Sequence, residues 1–169
     1  MIIFARPINT SKMIQRIQSV YLFLVVVSLG TMFYFPLASF IGGEKDQLIL
    51  YIYKLVSEVP DSNPDVPSWF IFPNLILASL SLLVSLVSIF LFKNRKRQLS
   101  MVRMAIILIL ILIGAFFFYY AVELENASGI AAHYEIGAYM PLIAFVFLLL
   151  AYRGIMADEK LIRSSERLR

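Results

Sequence analysis

The sequence predicts an all-α membrane protein. The expected form is a four-transmembrane-helix bundle with N and C termini cytoplasmic and a small extracytoplasmic loop domain between helices one and two. Three observations predict it. Hydrophobic residues make up 60% of the 169 residues and charged residues 15%, against roughly 45–50% and about 25% in soluble domains. A soluble fold of this size could not hide that apolar surface, so a second, apolar solvent is needed. Four apolar stretches approach the roughly 20 residues a helix needs to cross about 30 Å of hydrocarbon. Basic residues gather in the segments on one side of these stretches and acids on the other.

Taken in order, residues 1–12 read as an N-terminal cytoplasmic tail, or as an extension upstream of a second start at Met13. Asn9 to Ser11 favour a helix N-terminus, and Ile14, Ile17, Val20, Tyr21 and Leu24 follow at helical spacing. The first membrane stretch is expected from Val20 to Ile41 and carries no charge. Lys12 and Arg16 precede it, as in a signal peptide, but its apolar run exceeds the roughly 7–15 residues of such a segment. No small-residue cleavage site follows Phe35, so the stretch reads as retained.

The segment 42–68 is polar and extracytoplasmic in this scheme. Within it, QLILYIYKLV (Gln47–Val56) is rich in β-branched and aromatic residues, preceded by Gly42-Gly43 and followed by the turn-forming PDSNPDVP (Pro60–Pro67). A β-hairpin pairing Leu37–Ile41 with Leu48–Tyr53 is favoured over a surface helix using Leu48, Tyr51, Ile52, Leu55 and Val59. The second stretch runs from Phe70 to Phe92, the third from Met104 to Val122 and the fourth from Ile136 to Tyr152. Pro141 lies in the early turns of the last, where a missing N–H costs least. Lys93–Arg103 and Glu123–Glu135 are short connections. The transmembrane domain is thus 13–157, followed by a cytoplasmic, helical tail, 158–169. No internal repeat or low-complexity tract is present.

Charge orients the chain. The N-terminal arm (Arg6, Lys12, Arg16), the second connection (Lys93, Arg95, Lys96, Arg97, Arg103) and the tail (Arg153, Lys160, Arg163, Arg167, Arg169) hold all but two of the 15 basic residues. The opposite side has Lys45 and Lys54 against Glu44, Asp46, Glu58, Asp61, Asp65, Glu123, Glu125 and Glu135. Short basic loops stay in the cytoplasm, and equal sides at both ends require an even helix number. Tyr34, Phe35, Trp69, Phe70, Tyr119, Tyr120, Tyr134 and Tyr139 cluster at the expected outer ends, where amphipathic rings favour the interface.

Little in the chain speaks of chemistry. The absence of cysteine excludes disulfides, thiolate metal sites and Cys nucleophiles. No ionisable residue falls near the centre of any span, which argues against a proton relay. Ala78, Ser81, Ser85 and Ser88 share one face of helix two, and helix packing is the expected reading over a polar pathway. His133 stands near Glu123, Glu125 and Glu135, too few nitrogen or sulfur donors for a metal site. No Ser-His-Asp set, HExxH or phosphate loop occurs. No cofactor is expected.

KNRKR (Lys93–Arg97) and the tail residues Arg163, Arg167 and Arg169 are expected to contact anionic lipid headgroups or a protein partner, and not nucleic acid. In the tail MADEKLIRSSERLR, Asp158 and Glu159 lead and the arginines follow, the order a helix dipole favours. MIQRIQSVYL (Met13–Leu22), KNRKRQ (Lys93–Gln98), YMPLIAF (Tyr139–Phe145) and DEKLIRSSERLR (Asp158–Arg169) resemble a four-helix membrane family of Bacteroidetes, domain of unknown function 4293. The resemblance spans Met13 to the C-terminus and leaves residues 1–12 outside. It implies the same fold and transfers no activity and no catalytic residue. The expectation is therefore a multi-pass protein of the bacterial inner membrane. Its role would be that of a non-enzymatic accessory or scaffold subunit binding membrane-protein or cytoplasmic partners, with homo-oligomerisation open. A small oligomeric transporter or channel, and a lipid-acting membrane enzyme, are the alternatives.

Overall fold

Long apolar segments without charge leave helix ends to be set by local backbone chemistry, and the first helix shows how. In the computed structural model, which describes residues 10–42, 46–57, 67 and 69–166, α1 spans Thr10–Met32. It stops well short of the expected Ile41. The Thr31 carbonyl accepts from the N–H groups of both Tyr34 (3.0 Å) and Phe35 (3.1 Å), which tightens the last turn. Pro36 then has no N–H with which to continue.

The chain past Pro36 turns into a sheet. Strands β1 (Ala38–Gly42), β2 (Asp46–Leu50), β3 (Leu55–Ser57) and β4 (His133–Tyr134) lie in the order β3-β2-β1-β4, each pair antiparallel. Phe40 faces Leu48 and Ile41 faces Gln47 across the β1–β2 hairpin. The hairpin is the expected one, but β2 ends at Leu50: the Tyr51 N–H donates to the Lys54 carbonyl at 2.8 Å and folds Tyr51–Lys54 into a turn. The surface-helix alternative for this segment is overturned. Phe40, Leu48, Leu50 and Ile52 are buried. The tail 1–9 and most of the expected Pro60–Pro67 turn lie outside the described residues.

Helix α2 (Phe72–Phe90) begins with Pro73 in its first turn, where proline's fixed φ suits a start. A single 3₁₀ turn, Leu91–Lys93, leads to Asn94, whose side chain accepts from the Arg97 N–H at 3.3 Å and caps the next helix. Helix α3 (Arg95–Ser128) thus starts within the basic connection rather than at Met104, since lysine and arginine are good helix formers. It contains one π-helical turn, Phe116–Tyr120, and closes at Gly129, whose φ of 69° gives the left-handed cap. Helix α4 (Ile136–Glu166) is continuous, so the expected fourth span and the expected tail as far as Glu166 are one element.

The helices pack in a ring, α1 on α2, α2 on α3, α3 on α4 and α4 on α1. At one end the start of α4 touches the exit of α1: the Gly137 N–H donates to the Pro36 carbonyl at 2.9 Å. A Cβ on Gly137 would lie 2.5 Å from that oxygen, so only glycine permits this approach. The sheet sits at the same end, and its core of Phe40 and Ile52 merges with Met32, Phe116 and Leu124. A second core of Leu22, Leu29, Ile109, Leu148 and Ile155 fills the other half. Three helices, Phe72–Lys93, Arg95–Ser128 and Ile136–Lys160, are long and apolar enough to cross a membrane, and α1 adds the shorter apolar stretch Ile17–Met32.

Candidate functional site

Each helix buries one seam at alternating steps of four and three. In α1 it is Gln18, Leu22, Val25, Leu29 and Met32; in α2, Asn74, Ala78, Ser81, Ser85 and Ser88; in α3, Gln98, Val102, Ala105, Ile109 and Leu112; in α4, Ala144, Leu148, Ala151, Ile155 and Asp158. This is the heptad-like spacing of left-handed helix packing. Polar residues take the last seam positions at one end of the bundle, Gln18, Ser88, Gln98 and Asp158, and there polar contacts cross between helices.

At the end opposite the sheet, four of them form a clasp. Gln18 Nε2 donates to Asp158 Oδ2 at 2.8 Å, and Arg95 Nη1 lies 3.4 Å from the same oxygen. Gln98 Nε2 donates to the Ser88 carbonyl at 3.0 Å. All four helices contribute. Asp158 is only 4% exposed, and a buried carboxylate needs such partners, because an unpaired one is strongly disfavoured. Gly154, one turn earlier, makes room for Gln18: a Cβ there would come within 3.0 Å of Gln18 Cγ.

The expected contact residues divide around this clasp. Lys93, Lys96 and Arg97 are exposed. Arg95 is turned partly inward to Asp158. Arg163 lies on α4, and Arg167 and Arg169 lie outside the described residues. The clasp residues Gln18, Gln98 and Asp158 were not anticipated as a set. The signal was present: each extends its helix's four-three apolar seam by one position.

The serine face is enclosed by the chain's own bundle. Ser81, Ser85 and Ser88 are fully buried, and their hydroxyls donate to the carbonyls of Leu77 (2.7 Å), Ser81 (2.8 Å) and Val84 (2.8 Å). Back-bonding of this kind satisfies the hydroxyl within its own helix. The outer face of α2 is the reverse: Ile76 is 64% exposed and Phe90 70%, alongside Phe72, Leu80 and Leu83. Helix α2 is inside-out for water.

At the sheet end two carboxylates, Glu135 and Glu125, are engaged in structure, and Glu123 is exposed. The Ser39 hydroxyl donates to Glu135 Oε1 at 2.8 Å, joining β1 to the residue before α4. The Ala132 N–H donates to Glu125 Oε1 at 2.8 Å and shapes the loop after Gly129. His133 is exposed on β4. Among the described residues, no group of three or more His, Asp or Glu side chains is placed to hold a metal ion.

Of the aromatics expected at the outer ends, Phe70, Tyr119, Tyr120 and Tyr134 make ring contacts at this end. Phe70 lies edge-on to Tyr120 (4.8 Å) and near Tyr119 (5.8 Å), and Tyr134 packs on Phe116 and Phe117. Beside them Asn74, 4% exposed, has a side-chain oxygen with no hydrogen-bond partner. A buried acceptor left unmatched costs about 1–3 kcal/mol.

Residues 14–168 match the family described as a domain of unknown function (DUF4293), and the chain belongs to that family. No curated protein matches it.

Proposed function

We propose that this DUF4293 family member is a multi-pass protein of the bacterial inner membrane. Its α1 start, α2–α3 turn and α4 end face the cytoplasm, and it serves as a non-enzymatic accessory subunit. The observation that carries the membrane assignment is the inverted α2, with serines and an asparagine inward and Ile76, Leu83 and Phe90 outward. Such a helix is stable only where the surrounding solvent is as apolar as its outer face. The orientation rests on charge: Lys93, Arg95, Lys96, Arg97 and Lys160 belong to the clasp end, and Glu123, Glu125 and Glu135 to the sheet end.

Two features support an accessory role over chemistry. Glu135 and Glu125, two of the three acids expected near His133, bond to a hydroxyl and a backbone group of the fold, which favours a structural use of them. The serine hydroxyls are spent on their own helix inside the bundle, which favours packing over an inter-subunit pore lining. The docking element is then the segment beyond Asp158, with Arg163 on α4 and Arg167 and Arg169 following in the sequence, which meets a cytoplasmic partner or anionic headgroups. A photoreactive residue at the exposed Lys160, crosslinked in native membranes, tests this. Adducts with one recurring protein, lost when the chain is stopped after Lys160, are expected. Adducts with lipid and self alone would refute the accessory reading. Stopping after Lys160 retains the Asp158 clasp, so loss of the adduct would not reflect loss of the bundle.

A further inference from the structure

The seam of α2 is polar at every position but Ala78, and only one of its buried side-chain polar atoms goes unmatched. Ser81, Ser85 and Ser88 each donate to a carbonyl one turn back, whereas Asn74 Oδ1, at the sheet end of the same face, accepts from no group of the protein. Asn74 occupies the first turn of α2, one turn from Phe70 and one from Ala78. The Tyr120 hydroxyl meets its backbone, and the Phe70 ring closes over Tyr120. Tyr120 ends the π-helical turn of α3, an irregularity that often marks a ligand or water position.

We infer that Asn74 Oδ1 is the acceptor of a small, uncharged hydrogen-bond donor held at the sheet-capped end of the bundle. A buried amide oxygen among aromatic and aliphatic side chains demands a donor. Lys54, the described basic residue nearest in sequence to the strands of this end, lies over the Tyr51 and Tyr53 rings, and Lys45 lies outside the described residues. One donor within hydrogen-bond reach satisfies the oxygen, so a water molecule, or the hydroxyl or amide of a small polar solute, is enough. Charged ligands are disfavoured by the neutral lining.

The test uses the full chain in lipid nanodiscs. In the native protein, the Asn74 side-chain amide should show magnetisation exchange with long-lived water. If the donor is a solute instead, its resonance should move with saturation as ethylene glycol or formamide is added. The Asn74→Leu variant, close in volume and without an acceptor, should melt at lower temperature, because a satisfied hydrogen bond is lost. A melting point raised by Asn74→Leu would mean that the oxygen is a true orphan, and would overturn the inference. Should the variant fail to fold, native Asn74 showing neither water exchange nor a saturable solute shift would overturn it equally.

Discussion

At the scale of single residues, the clasp turns on one oxygen. Asp158 Oδ2 receives both Gln18 Nε2 and Arg95 Nη1, and it is more buried than Arg95. Removing the carboxylate strands two donors, whereas removing Gln18 strands none that is charged. Asp158→Ala should therefore cost about 1–3 kcal/mol, and Gln18→Leu about 1 kcal/mol or less. Because they share a bond, the double variant should fall short of additivity by about 0.5 kcal/mol or more. Denaturant unfolding in mixed micelles measures all three, and additive losses would deny the contact. Glycines give a second comparison. At Gly137 a Cβ would meet the Pro36 and Phe35 carbonyls, which cannot swing aside, and at Gly30 it would meet nothing within 4 Å. Gly137→Ala should cost about 1–3 kcal/mol, and Gly30→Ala should be neutral or gain about 0.5–1 kcal/mol. Equal melting points for the two variants would contradict the close approach of α1's exit to α4. The sequence hid this residue-level pairing because the partners are distant in the chain, with Gln18 and Asp158 separated by 140 positions.

At the scale of elements, the four-three seams explain both what the sequence revealed and what it concealed. The seam of α2 stood out because serine and alanine interrupt leucine and isoleucine. In α1, α3 and α4 the seam is apolar on an apolar background, so its polar ends did not stand out: Gln98 read as connection, Asp158 as tail, and Gln18 as a position of the helix start before the first span. Element ends were misjudged for a related reason. Val20–Ile41 is uncharged throughout, and the passage from helix to β1 depends on Pro36 and on pairing with β4, brought from beyond α3. The same remoteness hid β4 itself, two residues long. The π turn was not legible either, but the seam shows its effect. From Phe116 a regular helix would bury position 119 and then 123. Instead, Tyr120 and Leu124 are buried and Phe118 is 83% exposed. One extra residue has been absorbed. Deleting Phe118 should restore a regular helix that keeps Tyr120 and Leu124 in the core, with melting lowered by only a few degrees. Deleting Ile107, within regular helix, rotates everything beyond it by about 100° and should abolish the folded state. Similar loss for both deletions, read by thermal melting, would contradict the absorbed-residue account. Thiols introduced at Ser81, Ser85 and Ser88 should likewise stay unlabelled by a soluble reagent until the bundle is unfolded, and periodic labelling in the native protein would make that face a pathway.

At the scale of the whole molecule, the bundle is organised by two solvents and two ends. Lipid-compatible side chains cover the outside of α2, α3 and α4, the hydrophobic core is split between a sheet-capped half and a clasped half, and the ends differ in charge. The composition made the membrane reading visible at once, and the inverted α2 is its structural counterpart. The capping sheet was visible only as a hairpin, because its third and fourth strands are too short to carry a periodic pattern. The central claim is that the clasped end lies in the cytoplasm and the sheet end outside, with four crossings between. The chain has no cysteine, so single introduced thiols report cleanly. Lys96→Cys places one at the exposed α2–α3 end, and Ala127→Cys places one at the exposed sheet end. With an impermeant maleimide on intact spheroplasts, Ala127→Cys should label at once, and Lys96→Cys only after the membrane is opened. Immediate labelling of Lys96→Cys with Ala127→Cys protected would contradict the account.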